Sequence, residues 1–421
     1  MPASSGKKVG VIGAGMVGVC AASYLQRQGH EVFMLEAGKP GHGASFGNAG
    51  AFNASSVTPV SMPGMMWNVP RWLFDPLGPL SLRWRYLPVV APWLIRFIRA
   101  GTLEKVHAQA RALRPLVGAT LDALMPLVRD AGAEDLVHCL GHLYVYRSPH
   151  GPQKERLAWE LRQENGVQID EFDADELRQL EPTLARDFVR GILVRENGHT
   201  SNPLGLVERL LGQFLRSGGE LVRARAFGFD LADGRLAAIR TDTGDLPADA
   251  AIVCAGAWSR PLAAALGDRI PLETERGYHL MICDPEVMPR IPTADAEGKF
   301  VATPMESGLR FAGTVELAGL TAPPDWRRAR ILLDQGRRML PGLAAHYTED
   351  RISMWMGHRP SLPDSLPVIG PSRATPDVIY AFGHGHVGMT AAPMTGKLVA
   401  DLVVGRPPAI DITPFAPARF A

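Results

Sequence analysis

Lys7-Lys8-Val9-Gly10-Val11-Ile12-Gly13-Ala14-Gly15-Met16-Val17-Gly18 is the stretch whose reading decides the fold. The apolar run ending at Ile12 has the length and β-branched content of a short buried strand, and the glycines turn the chain out of it. Val17, Cys20, Ala21 and Leu25 then recur at helical spacing, and Gly29-His30 stops that helix. Glu31 to Glu36, Glu-Val-Phe-Met-Leu-Glu, is a second strand. Strand, turn, helix and strand together occupy about thirty residues, the size of one parallel strand–helix–strand unit.

Gly13-x-Gly15-x-x-Gly18 leaves no side chain where the turn is tight, where a pyrophosphate must approach, and where the helix packs on its strand. The start of the helix offers free N–H groups and the positive end of its dipole to phosphates. Glu36, 23 residues after Gly13, ends the second strand, where a carboxylate can accept hydrogen bonds from ribose hydroxyls. A purely structural glycine turn would leave Glu36 unexplained. The spacing alone does not separate FAD from NAD.

The uncharged run from Val9 to Gln26 behind Lys7 and Lys8 has the outline of a secretory signal, but its ordered glycines and the strand that follows at once predict a folded element kept in the chain. No other apolar run approaches the ~20 residues a membrane span requires, so no spanning helix is expected.

The 421 residues suggest two to three domains, and 46% hydrophobic content suits an ordinary packed core. With 44 Lys and Arg against 43 Asp and Glu, the net charge of +1 argues against chain-wide attraction to nucleic acid. Cys20, Cys139, Cys254 and Cys283 are scattered, which disfavours a zinc finger or a disulfide scaffold and predicts buried, reduced thiols and no metal site.

Further along, helices are expected near 103–131 and 153–164, a strand near Leu143–Arg147, and a helix from Asn202-Pro203 to about Arg216 that Gly218-Gly219 ends. A strand at Glu220–Ala226, hairpin turns at Asp233-Gly234 and Thr243-Gly244, and a strand Ala250–Cys254 follow. Residues 58 to 101 are rich in Pro, Trp, Met and Arg and read as a lid or hairpin, not as one long helix. Near the end, strand Val378–Phe382 runs into Gly383-His384-Gly385-His386-x-Gly388-Met389-Thr390, which opens a helix to about Val404. That cluster is either a second backbone surface for a planar or anionic ligand or a plain glycine turn with two surface histidines. No carboxylate or cysteine lies near it at metal-ligand spacing. In Gly357-His358-Arg359-Pro360 the arginine fork suits a carboxylate, although a lone Arg before Pro is more often a surface residue.

Joined with Glu36-Ala37-Gly38, Ala44-Ser45-Phe46-Gly47-Asn48-Ala49-Gly50, Ala255-Gly256-Ala257-Trp258, Arg276-Gly277-Tyr278-His279, Gly313-Thr314-x-Glu316 and Leu366-Pro367-Val368-Ile369-Gly370, these motifs make the sequence similar to the FAD-dependent amino-acid oxidoreductases of the D-amino-acid oxidase superfamily. It resembles most the bacterial D-amino-acid dehydrogenases. The resemblance implies an α/β protein in which a Rossmann-like FAD-binding domain (1–57, 199–262 and 355–421) is interleaved with an α+β substrate domain (58–198 and 263–354) carrying a mixed or antiparallel sheet.

Carried over by residue, Gly13, Gly15 and Gly18 would hold the FAD pyrophosphate, with Ala14 and Met16 in the same turn, and Glu36, with Ala37 beside it, the adenosine ribose. Ser45, Asn48, Ala49 and Gly50 would run along the flavin, Val222 would meet adenine through its backbone, and Gly256 would pack at the dinucleotide. Gly383, His384, Gly385, Gly388, Met389 and Thr390 would face the isoalloxazine. Arg359 would clamp the substrate carboxylate, with Tyr278 and His279 bordering the substrate.

Some relatives attach flavin through a cysteine in the C-terminal third; with none after Cys283, FAD is expected to be non-covalent. The implied reaction is oxidative deamination of a D-amino acid, including a cyclic one such as D-proline or hydroxyproline, with electrons passed to a quinone. The aromatic and arginine residues of 62–101 suit peripheral contact with the cytoplasmic face of a bacterial inner membrane. Rival readings are a glycine- or sarcosine-type oxidase using oxygen, an NAD-dependent dehydrogenase, and a non-catalytic nucleotide-binding module.

Overall fold

The computed structural model describes residues 6–68, 75 and 77–420. Strand Lys8–Ile12 lies inside a six-stranded sheet ordered Glu220–Val222, Glu31–Leu35, Lys8–Ile12, Ala250–Val253, Val378–Phe382, Val368–Pro371. All pairings are parallel except the last. The strands are apolar on both faces, as a sheet covered on both sides must be. Val32 and Met34 pack toward helices Met16–Arg27, Pro203–Arg216 and Gly388–Val403. Phe33 and Leu35 pack the other way, under an antiparallel three-stranded layer formed by Ala226–Ala232, Arg235–Thr241 and Leu246–Pro247. Gly10 is small because Ile239 of that layer sits where its side chain would be: a Cβ there would lie 2.4 Å from Ile239 Cδ1.

A nine-stranded mixed sheet forms the second half. Its order is Ile352–Ser361, Glu273–Ile282, Gly308–Leu317, Phe300–Met305, Thr293–Asp295, His142–Tyr146, Arg190–Val194, Asp170–Phe172, with Leu80–Leu82 added beside Gly308–Leu317. Helix Arg327–Met339 covers it through Leu332 and Met339. A small antiparallel sheet of Ala51–Phe52, Gly198–Thr200 and Val137–His138 lies between.

Three placements differ from the sequence reading. Helices Leu103–Gly118 and Thr120–Ala131, expected in the substrate part, bury Val106, Leu113, Leu116 and Leu124 in the same core as the dinucleotide-side helices. Their amphipathic pattern fixes that a face is buried, not what buries it. The boundary drawn at 355 cuts a continuous strand: Ile352–Ser361 pairs along its whole length with Glu273–Ile282, so Arg359 belongs to the larger sheet. Inside 58–101, residues Leu87–Ala100 form a 14-residue helix despite two prolines. Pro88 sits in the first turn, where an N–H has no partner to lose, and Val90, Trp93 and Phe97 anchor the inner face. Arg71, Trp72, Leu73 and Phe74, counted in the same aromatic stretch, lie outside the described residues. No helix among the described residues is long and apolar enough to cross a membrane.

Candidate active site

The two sheets enclose one continuous cavity of about 1460 Å³ that runs from Glu36 to Arg359. Sites for single small ligands usually hold ~300–1,000 Å³, so this one has room for a dinucleotide and a substrate.

At the dinucleotide end, Gly13 has φ +109°, and a Cβ on it would lie 2.6 Å from the Cys254 carbonyl oxygen. A Cβ on Gly18 would lie 1.9 Å from the Gly13 carbonyl oxygen, so that glycine serves close helix packing and does not itself reach the cavity. Gly15 and Met16 open onto the cavity at the helix start, where Ser45 Oγ accepts from the Met16 N–H at 3.0 Å. The Glu36 carboxylate is oriented by the N–H groups of Ala14 (3.0 Å) and Gly38 (2.9 Å), which leaves lone pairs facing the cavity beside Ala37. Ala14 acts here only through its N–H. Gly256, with φ +54°, lines the wall.

Val222, expected against adenine, does not reach the cavity: its carbonyl accepts the Glu36 N–H at 3.0 Å, and Ala224, Arg225, Ala226 and Phe227 form the wall instead. The parallel pairing of Glu220–Val222 with Glu31–Leu35 commits Val222 to the sheet ladder.

Along the middle, Asn48 and Ala49 line the cavity while Gly50, at φ +78°, turns the loop under Thr200. From the far end of the chain come His384, Gly385, Gly388, Met389 and Thr390, with Gly383 behind them at φ +84° in a turn that tolerates no Cβ beside Leu362. His384 Nε2 pairs with Thr395 Oγ1 at 3.0 Å, and burial holds its pKa down to about 4. Thr390 Oγ1 receives the Asn53 N–H at 3.1 Å. The helices that start at Met16 and Gly388 lie side by side, Gly396 of one against the Cys20 backbone of the other, and both direct their N-termini at this space.

At the other end, Arg359 reaches from its strand across Gly277, whose Cβ, if present, would be 2.5 Å from the guanidinium carbon. Its strand-pair neighbour is Glu275. Burial raises the Glu275 pKa against the opposing pull of Arg359, and burial lowers that of Arg359 against the pull of Glu275. Tyr278 presents its ring, while its hydroxyl turns away to donate to Glu316 Oε2 at 2.6 Å and is pushed up to about 12 by burial and that carboxylate.

His279 does not border the cavity. Its Nδ1–H donates to the Gly47 carbonyl at 3.1 Å and its ring stacks on Trp355 at 5.3 Å, so it docks the 45–50 loop on the large sheet. Burial, followed by Arg310, holds its pKa down to about 3, which keeps it neutral.

Four cavity residues had no assigned role in the sequence. Trp355 lies between two glycines: a Cβ on Gly47 or Gly357 would sit 2.0 or 1.9 Å from its ring. His386 projects into the cavity and is exposed there; the surrounding protein, then Arg359 and Arg162, lower its pKa. Thr314 is an extra residue in its strand, since Gly277 pairs with Val315 and Tyr278 with Gly313. It has φ +55° and a buried hydroxyl without a partner. A β-branched residue in that region is a true outlier, and such strain concentrates at functional sites. Arg162 enters from helix Arg156–Glu164. Gly313-Thr314-x-Glu316 was visible as a motif, but a bulge is a property of cross-strand register and leaves no mark in one strand.

The residues fit a bound dinucleotide: Asn53 Oδ1 and Thr58 Oγ1, both on the cavity wall, are buried polar atoms with no protein partner. The family description FAD dependent oxidoreductase matches residues 8–402. The chain belongs to the DAO family of FAD-dependent oxidoreductases. It is 45% identical over 418 residues, 99% of each chain, to a D-amino-acid oxidase of Bradyrhizobium diazoefficiens. It is 30% identical to D-amino acid dehydrogenase 2 of Mesorhizobium japonicum, with 96% of this chain and 98% of that one covered. The glycine oxidase of Geobacillus kaustophilus shares the fold with a TM-score of 0.74 at 20% identity, covering 99% of this chain and 100% of that one. FAD is the cofactor of this family member, which sets aside the NAD-dependent reading.

Proposed function

We propose that the protein oxidises a D-amino acid to its imine, with Arg359 as the anchor for the α-carboxylate. The observation that supports this most is Arg359 itself: a guanidinium laid over a glycine in the cavity that the FAD signature borders, without an ion pair among the described residues. The names of the two relatives point to the same substrate class.

Non-covalently bound FAD would be held by the Gly13–Gly18 turn, Glu36 and the Gly383–Thr390 segment, and supplies the hydride acceptor. Arg359 binds the carboxylate through paired N–H donors, and Gly277 lets the guanidinium lie flat enough to fix the Cα–H direction. The free hydroxyl of Thr314 is available to the substrate amine, while the Trp355 and Tyr278 rings exclude water. The start of the Gly388–Val403 helix turns its positive end toward the negative charge that reduction brings. Loss of hydride from Cα leaves an imine, which water converts to a 2-oxo acid and ammonia; a cyclic substrate such as D-proline keeps a ring imine. Anaerobic bleaching of the flavin by D- but not L-amino acids is the expected result, and bleaching by neither would refute the reading. Arg359→Ala should raise KM by about 100-fold or more while the purified protein stays yellow.

The proposed acceptor is a quinone reached at the cytoplasmic face of the inner membrane. Helix Leu87–Ala100 supports this: Trp93, Leu94 and Phe97 line the cavity, while Val89, Ile95 and Ile98 are exposed on the outside with Arg85, Arg96, Arg99 and Trp84. Apolar and arginine side chains so interleaved suit a lipid interface. Oxygen as acceptor is the second reading, favoured by the name of the 45% identical relative. Sedimentation with anionic vesicles and quinone reduction support the first; stoichiometric hydrogen peroxide without vesicle binding supports the second.

A further inference from the structure

Besides Arg359 and Arg225, the cavity wall carries a guanidinium that the reaction as described does not use. Arg162, in the last turn of helix Arg156–Glu164, stacks its plane 4.5 Å from the Trp159 ring centre and 5.6 Å from that of Tyr144. Stacking occupies the face of a guanidinium and leaves its edge donors free. Along that edge, Nη1 donates to the Ala158 carbonyl at 3.1 Å, and Nε is buried with no partner at all. The acids nearby are already engaged: Glu155 with Lys299 and the Tyr146 hydroxyl, Asp295 with Arg147. Among the described residues Arg162 has no ion pair. A half-buried guanidinium at a cavity wall with no opposite charge beside it is a ready partner for an anion.

Resting on the reading of Arg359 as the α-carboxylate anchor, we propose that Arg162 is a specificity residue that binds a second carboxylate, so that the preferred substrate is an amino acid with an acidic side chain. The two anchors stand on different elements, a strand of the large sheet and the helix packed outside it, yet they border one space. The fields of both guanidinium groups reach His386, which lies on the same cavity. Tyr144 and Trp159 serve as positioning residues, because they fix the plane of Arg162 and not the substrate.

The test compares kcat/KM of the FAD-loaded enzyme for D-aspartate and D-glutamate with that for the uncharged, equally sized D-asparagine and D-glutamine. The acids should exceed the amides by on the order of 10- to 100-fold, the worth of one charge-assisted hydrogen-bonded pair. Arg162→Met should collapse that ratio by the same factor and Arg162→Lys should restore part of it; a merely structural role would move acids and amides together. A measurement on the unaltered holoenzyme needs no variant: glutarate should perturb the visible flavin spectrum at concentrations at least about tenfold lower than butyrate. If amides match acids, or butyrate matches glutarate, the inference is overturned while D-amino-acid oxidation stands. If no amino acid of either kind reduces the flavin, the reading of the cavity falls and this inference with it.

Discussion

At the scale of single residues, two positions join backbone geometry to chemistry. Gly277 is required because the Arg359 guanidinium occupies its side-chain space, so Gly277→Ala should displace the anchor and raise KM about tenfold while FAD content is unchanged. Thr314 is strained at φ +55°, and Thr314→Gly should relieve that strain. We expect a gain of about 1 kcal/mol in stability with a loss in kcat/KM, read by denaturant melts and steady-state kinetics on the same preparation. A variant that gains activity along with stability would remove Thr314 from the site. Arg359 was singled out in the sequence through the family resemblance of Gly357-His358-Arg359-Pro360, and the structure places it on the cavity wall. His279 was not: the residue type suits a site, but only the cross-strand register reveals that it carries the 45–50 loop through Gly47. Val222 does not line the cavity, and its carbonyl already accepts the Glu36 N–H.

Among elements, the close pairing of helices Met16–Arg27 and Gly388–Val403 sets the geometry of the cofactor end. A Cβ on Gly396 would lie 2.7 Å from the Cys20 backbone, which has no flexible side chain to yield. Gly396→Ala should therefore cost about 1–3 kcal/mol and weaken FAD binding as both helix starts separate. Unchanged melting and unchanged FAD affinity would show that the contact is slack. Helix and strand periodicities made these elements readable in advance, along with the Asp233-Gly234 hairpin and the strand at Val378–Phe382. The partners of Leu103–Gly118 were unreadable because an apolar stripe records burial without an address. The helix Leu87–Ala100 was masked by Pro88, which its first turn tolerates, and by Pro92, which lies inside it.

For the whole molecule, the buried histidines predict the response to acid. His142 and His279 are held to about 3, and His199 and His384 to about 4, in each case chiefly by burial. Each of these side chains binds a proton less readily folded than unfolded, where 6.5 is the ordinary value. Their contribution is complete above about pH 6.5 and is lost as the pH falls toward 4, at up to ~1.4 kcal/mol per unit for each. Melting temperature should thus drop steeply between pH 6.5 and 4, and a flat profile over that window would contradict the assignment.

Because helices Met16–Arg27 and Gly388–Val403 complete one cradle from segments far apart in sequence, a chain still on the ribosome and halted before Gly388 lacks part of it. Loading of the cofactor therefore waits on how soon the segment around Gly388 threads home beside the earlier-made helix Met16–Arg27.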